Sequence, residues 1–325
     1  MEVSARVQER SVGLLPERVR AHVVGDSDGV KRAMQAVKPV ERSVPRDGTV
    51  VHGLDVDLPL GGSRATVATV HDLAVFDVPW TFEGFRSRGE RALLSFHLNR
   101  ADALISVSNF TAERLRERFG LESTVVHIAP SRDVVEPTDA QVAAVRKRLQ
   151  LPDRFVLYVG TVEPRKDVAA LAEACRRIHV PLLIAGRRMT ALPDEDNVRS
   201  LGYVDSADLA PLMVAAAAVG YPSVYEGFGL PPLEALQAGA VSVSTSVGAL
   251  PEVLGSFDYP LVPAGDKSAL VELLGDVVAD ESFRAGLLTK GRRALGHLGW
   301  ERTARETVQV YQKVSSTTEG SDRHG

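Results

Sequence analysis

Two periods of hydrophobicity alternate through the C-terminal half of the chain. Residues 155–160 and 181–185 are short unbroken apolar runs, while residues 168–178 place apolar side chains at helical spacing. The three pieces predict a strand–helix–strand unit, with Asp167 positioned to cap the helix. Further strands are predicted at 199–204, 219–222 and 241–244, and the Ala-rich stretch 210–222 reads as a helix followed by a buried strand. Alternation of this kind predicts a parallel sheet covered on both faces, with ligands held beyond the carboxyl ends of its strands.

The N-terminal half is less regular. Candidate strands are 20–24, 50–52, 65–70, 103–107 and 124–128, with helices at 82–99 and 111–119. Ser108-Asn109-Phe110-Thr111 opens the second helix with capping residues. Pro130 and Pro137 interrupt the periodicity at 129–139, which suggests two α/β domains, 1–133 and 134–299. A last helix is predicted at 300–314, followed by a polar tail, 315–325, expected to be disordered.

Composition narrows the class. The 325 residues suffice for two α/β domains with a sizeable core in each, and a net charge of −4 gives no electrostatic case for nucleic acid. The single cysteine, Cys175, falls in a helical pattern and reads as a core residue of a protein in a reducing compartment. No basic segment followed by an apolar stretch opens the chain, and no apolar run reaches the ~20 residues needed to span a bilayer. The expectation is a cytoplasmic protein, with docking at the inner membrane surface left open.

The densest chemistry lies between Ser223 and Ala235, in the order Ser-Val-Tyr-Glu-Gly-Phe-Gly-Leu-Pro-Pro-Leu-Glu-Ala. Two carboxylates, Glu226 and Glu234, flank a Gly-rich turn that leads from a strand into a helix. Gly227 and Gly229 permit a tight bend, and Pro231 and Pro232 suit the first helical positions. Amides at a helix start favour an anion such as a phosphate, while the two carboxylates can hold hydroxyls beside it. Together they suit a sugar joined to a diphosphate. Spacing alone does not carry this: Glu9 and Glu17 form a second such pair with no turn or strand beside it, and read as solvated surface.

With Ala238-Gly239-Ala240 and Gly248-Ala249-Leu250-Pro251-Glu252-Val253 added, the segment resembles the signature of the retaining glycosyltransferases of family 4, which have the GT-B fold. The resemblance implies two Rossmann-like parallel-sheet domains facing across a cleft, with a C-terminal helix crossing back to the first. Gly299-Trp300-Glu301-Arg302-Thr303-Ala304 resembles the start of that helix. It implies that Glu226 contacts the donor sugar, that Glu234 contacts the ribose, and that the amides around Gly227, Phe228, Gly229 and Leu230 face sugar and diphosphate.

Two further motifs fit. Gly160-Thr161-Val162-Glu163-Pro164-Arg165-Lys166-Asp167 puts adjacent cations at a strand's carboxyl end, where Arg165 and Lys166 suit a diphosphate. It resembles a variant of the family's phosphate loop; in the commoner variant an Arg follows the Gly, where this chain has Thr161. Val70-His71-Asp72-Leu73 resembles the His-Asp motif whose His faces the donor sugar, with Asp72 orienting His71 or capping the next segment. His52 ends the preceding strand and is a weaker candidate for the cleft. Ser108 and Thr111 fit either helix caps or the acceptor side. Arg86, Arg88 and Arg91, interleaved with Phe82, Phe85 and Phe96, suit either a solvated helix face over an aromatic stripe or an anionic, lipid-bearing surface. Asp55-Val56-Asp57 and Asp194-Glu195-Asp196 lie in loop-like sequence and read as surface, with no metal site.

Taken with these features, the resemblance implies a metal-independent, retaining transfer of a sugar from a nucleotide-diphosphate donor, without a cofactor. The acceptor would be a glycan or lipid-linked glycan, and the whole pattern favours mannose, with GDP-mannose or a UDP-sugar as donor. The opening, residues 1–12, lacks the family's usual Gly cluster, so a shortened or remodelled acceptor domain is expected. A non-hydrolysing sugar-nucleotide epimerase and a weakly catalytic binding scaffold are the competing classes.

Overall fold

The computed structural model describes the backbone of residues 3–8, 19–24, 50–54, 58, 65–82, 84–190, 192 and 196–321. Side chains are described for 50–54, 58, 65–82, 88–190, 192 and 196–315. Glu9, Glu17, the 55–57 acidic group and Asp194 and Glu195 lie outside the described residues, as do the side chains of Phe85 and Arg86.

The C-terminal lobe is a five-stranded parallel sheet of β7 (Val156–Val159), β8 (Leu182–Ala185), β9 (Val198–Gly202), β10 (Ala218–Tyr221) and β11 (Ser242–Ser244). Their spatial order is β11-β10-β7-β8-β9. β8 and β10 are buried at every position, which is why both read as unbroken apolar runs. β7 and β10 are neighbours whose onward connections leave in opposite directions. That reversal opens a crevice at their carboxyl ends.

The N-terminal lobe carries β3 (Val50–Gly53), β4 (Ala65–Val70), β5 (Ala103–Ser106) and β6 (Thr124–Val125), all parallel in that order. Two earlier strands, β1 (Val3–Gln8) and β2 (Val19–Val24), pair parallel in a separate sheet. β1 has no counterpart in the sequence reading. Its six residues, Val-Ser-Ala-Arg-Val-Gln, mix polar and apolar positions too weakly to declare a strand.

The final helix, Trp300–Ser321, returns to the N-terminal lobe, where Val310 and Val314 pack on Ala65, Val67, Ile105 and Val126. It runs past Val314 into the stretch expected to be disordered. An established helix extends cheaply, one hydrogen bond per residue fixed, even through Ser and Thr. His52 belongs to this interface and not to the cleft: its ring meets Tyr311 Oη at 2.6 Å and Thr69 Oγ1 at 2.7 Å. Burial, with His71 nearby, pulls its pKa down to about 4.

Candidate donor site between the lobes

The crevice of the C-terminal sheet is built from two loops sewn together. After β7, Pro164–Lys166 forms a single 3-10 turn, and Asp167 caps the helix Val168–Arg177 by accepting the Ala170 amide at 3.4 Å. After β10, the Val224 amide donates to the Arg165 carbonyl at 2.9 Å. The turn therefore delivers both cations to the segment that carries Glu226.

The two cations are used differently. Arg165 Nη1 donates to the Tyr225 carbonyl and to Glu226 Oε2, each at 3.1 Å, and its Nη2 donates to Glu163 Oε1 at 3.2 Å. Lys166 Nζ donates to Glu226 Oε1 at 2.5 Å. The Glu226 side chain is only 12% exposed. Burial alone would raise its pKa, but the charges of Lys166 and Arg165 outweigh that and hold it below the usual carboxylate range. Burial works against the charge of Arg165 as well, and Glu226, Asp72 and Glu163 more than offset it. Two cations are thus balanced by Glu226 and Glu163.

Beside this cluster a cavity of about 260 Å³ opens, its wall including Gly160, Thr161, Glu163, Lys166, Tyr221 and Pro231. Gly227, Phe228, Gly229, Leu230 and Glu234 do not line it. Gly229 takes the left-handed conformation, φ 94°, immediately before the helix Leu230–Ala238. Pro231 and Pro232 occupy the second and third helical positions and carry no N–H. The amides free to meet an anion are therefore those of Phe228, Gly229 and Leu230, which donate to no acceptor among the described residues. Phe228 is buried, its ring edge-on to His127. Glu234 faces the segment joining the lobes, with Oε1 3.4 Å from the Ser131 amide.

The N-terminal lobe meets this loop directly. A Cβ added to Gly227 would stand 1.7 Å from the His71 carbonyl oxygen, so only glycine fits there. Ser108 Oγ donates to the Gly227 carbonyl at 2.8 Å while accepting the Thr111 amide at 3.0 Å, so it is both helix cap and inter-lobe contact. His71 lies at the carboxyl end of β4, exposed, with Nε2 2.7 Å from the Leu54 carbonyl. A carbonyl only accepts, so Nε2 carries a proton, and in the neutral tautomer that this fixes Nδ1 is the acceptor. Asp72 caps the Ala74 amide at 2.9 Å.

Sequence reasoning quoted Pro251-Glu252-Val253 without a role for its carboxylate. Glu252 reaches across the cleft to the helix Asn109–Phe119, accepting the Asn109 amide at 3.0 Å and the Phe110 amide at 2.9 Å. His127 Nε2 adds a contact at 3.1 Å. Burial would raise the Glu252 pKa, but these hydrogen bonds lower it. Phe96 is 48% exposed rather than part of a buried stripe, and Trp80 is 71% exposed. No group of metal-ligating side chains occurs among the described residues.

Known proteins share this organisation. Residues 153–280 match the family model described as glycosyl transferases group 1, and residues 50–131 match glycosyltransferase family 4. The chain is 31% identical over 283 residues to the O-antigen chain mannosyltransferase B of Escherichia coli, covering 81% of this chain and 74% of that one. It spans only 33–34% of the longer serotype-specific mannosyltransferases WbdA of Escherichia coli that it also matches. WaaG, a glycosyltransferase involved in lipopolysaccharide biosynthesis, superposes with a TM-score of 0.67 at 16% identity, over 91% of this chain and 88% of WaaG. Anabaena Alr3699/HepE in complex with UDP-glucose gives 0.65 at 16% identity, over 93% of this chain and 86% of that one. At these identities the two structures speak for the fold alone.

Proposed function

The chain belongs to the family 4 glycosyltransferases and has the GT-B fold, and from that premise we propose that it moves a sugar from a nucleotide-diphosphate donor to a glycan or lipid-linked acceptor, with retention and without a metal. Mannose is the favoured sugar, in keeping with the mannosyltransferase likeness. The observation that carries the reading is the Lys166–Glu226 pair at the sheet's reversal point, with His71 of the other lobe against the same loop.

Each group has a role in this reading. Lys166, with the amides of Phe228, Gly229 and Leu230, meets the diphosphate, and Gly160 and Thr161 form the adjoining wall. Glu226 accepts hydrogen bonds from donor-sugar hydroxyls, and His71 Nδ1 accepts one from the opposite side. Glu234 reaches the ribose. As the bond from the anomeric carbon to phosphate oxygen breaks, charge grows on the leaving diphosphate where Lys166 and the amides wait, the preorganised help that dominates many enzymes. The acceptor hydroxyl forms its bond to the same face of the anomeric carbon, and its proton passes to the departing phosphate. A lipid-linked acceptor would bring the exposed Trp80 and Phe96 to the inner membrane surface. No helix among the described residues is long and apolar enough to cross a membrane.

The test is a panel of nucleotide sugars, GDP-mannose and UDP-glucose among them, scored first by thermal stabilisation. A donor at a hundred times its dissociation constant adds ~2.7 kcal/mol of stability. That gain should shrink in Lys166→Ala, together with acceptor-dependent release of nucleoside diphosphate. A panel that stabilises nothing and releases nothing would refute the proposal, and epimerised free donor would mark an epimerase instead.

A further inference from the structure

Tyr225 stands one residue before Glu226, yet its side chain crosses into the other lobe. Its hydroxyl donates to Asp77 Oδ2 at 2.9 Å and accepts the Leu73 amide at 3.3 Å. Its carbonyl accepts Arg165 Nη1 at 3.1 Å. One residue is therefore bonded at its tip to the segment that follows His71 and Asp72, and at its backbone to the arginine that holds Glu226. The ring is 6% exposed and packs with Ala74 and Val78, its edge 5.4 Å from the Phe110 ring centre to centre.

Asp77 is a fixed anchor for that hydroxyl. Arg114 grips it with Nε at 2.9 Å and Nη2 at 2.8 Å, and Arg118 Nη2 adds a third bond at 2.7 Å. Its side chain is 7% exposed, so it cannot turn to solvent without breaking all of these. Arg114 and Arg118 lie on the helix Asn109–Phe119, whose other end is capped by Glu252 from the opposite lobe. The helix is thus tied to the C-terminal lobe directly at its start by Glu252, and a second time indirectly, through Asp77 and Tyr225.

We infer that Tyr225, anchored by Asp77, is a positioning residue for sugar transfer that sets the register of His71 against Glu226 and Lys166. The inference rests on the proposed donor site. Groups of the C-terminal lobe alone meet the nucleoside diphosphate, so its affinity does not depend on this register. Transfer needs groups from both lobes and does depend on it. Losing one charge-assisted hydrogen bond of this kind corresponds to roughly tenfold or more in rate.

The test compares Tyr225→Phe and Asp77→Asn with the unmodified chain. GDP and UDP affinities are measured by calorimetry, and turnover as nucleoside diphosphate released from GDP-mannose or UDP-glucose with octyl mannoside as acceptor. Hydrogen exchange is followed across residues 71–78. The expected result is affinity within about twofold, kcat lower by about tenfold or more in both variants, and faster exchange at the Leu73 amide. Unchanged kcat, or affinity falling in step with kcat, overturns the inference. If Tyr225→Phe does not fold, Asp77→Asn carries the same comparison from the other lobe. If the unmodified chain turns over no donor, the transferase reading fails. The inference that rests on it then falls with it, whereas normal turnover in the unmodified chain with unchanged kcat in the variants overturns the inference alone.

Discussion

Replacing Glu226 by Gln should tighten the binding of free nucleoside diphosphate while abolishing transfer. The carboxylate contacts Lys166 at 2.5 Å and Arg165 at 3.1 Å, so it offsets the positive charge that a bound phosphate would meet. Taking roughly 6 Å between this carboxylate and a bound phosphate, and an effective dielectric of about 20, the repulsion removed is about 3 kcal/mol. Solvent at the cavity mouth reduces this, which leaves an expected gain of about ten- to a hundredfold in GDP or UDP affinity. The same change strands the partly buried Lys166 and leaves Arg165 to Glu163, at a cost to the unliganded protein on the order of 3 kcal/mol. Calorimetry gives the affinity, and thermal melts with and without nucleotide give the stability. The variant should melt lower alone and recover more on adding GDP or UDP. A folded Glu226→Gln protein that binds both nucleotides no tighter than the unmodified chain would refute this account of the cluster.

Two further perturbations probe the lobes. Gly227→Ala places a methyl group 1.7 Å from the His71 carbonyl, which forces the lobes apart and breaks the 2.8 Å bond from Ser108. A misplacement of about 1 Å costs on the order of a hundredfold in rate, so transfer should collapse while each lobe stays folded and nucleoside diphosphate still binds; a variant retaining full kcat would contradict the geometry. His52 titrates at about 4 in the fold against 6.5 in the unfolded chain. The unfolded state therefore binds the extra proton between those values. His52's contribution is complete above pH ~6.5 and is lost as pH falls toward ~4, up to about 3 kcal/mol. His52→Gln should flatten that part of the pH dependence, read from urea midpoints at pH 7, 5.5 and 4.5, and parallel slopes for both proteins would argue against it.

What the sequence disclosed was local. The turn from Ser223 to Ala235, the Arg165–Lys166 loop and the His71 strand end each carry strand, turn and cap signals within about ten residues, and the structure brings all three to one crevice. The alternation of apolar runs likewise yielded the C-terminal sheet. What stayed hidden joins distant positions. Tyr225 and Asp77 are 148 residues apart, and Glu252 and Asn109 are 143 apart, so no periodicity or cap pattern links them. His52 misled for the same reason: a strand-end histidine looks alike whether it faces a cleft or a helix 259 residues downstream.

The division of labour between Arg165 and Lys166 is one that their adjacency in sequence leaves open and the fold makes visible. In sequence the two adjacent cations both suit a diphosphate, with no sign of which does more. In the fold, Arg165 spends its donors on Glu163, Glu226 and the Tyr225 carbonyl, and three carboxylates, including Asp72, bear on its charge. Among the described residues the Lys166 ammonium bonds to Glu226 alone, and the side chain lines the cavity. A flexible ammonium can leave a carboxylate for a phosphate by rotating its stem, whereas a guanidinium fixed at three points would have to dismantle the loop to do so. In the proposed reaction, charge for the diphosphate would then come from Lys166 and the loop amides, with Arg165 as the brace that keeps Glu226 in place. Where the commoner phosphate loop has an Arg after its Gly, this chain has Thr161 on the cavity wall, so the whole burden of mobile positive charge on that wall falls to Lys166.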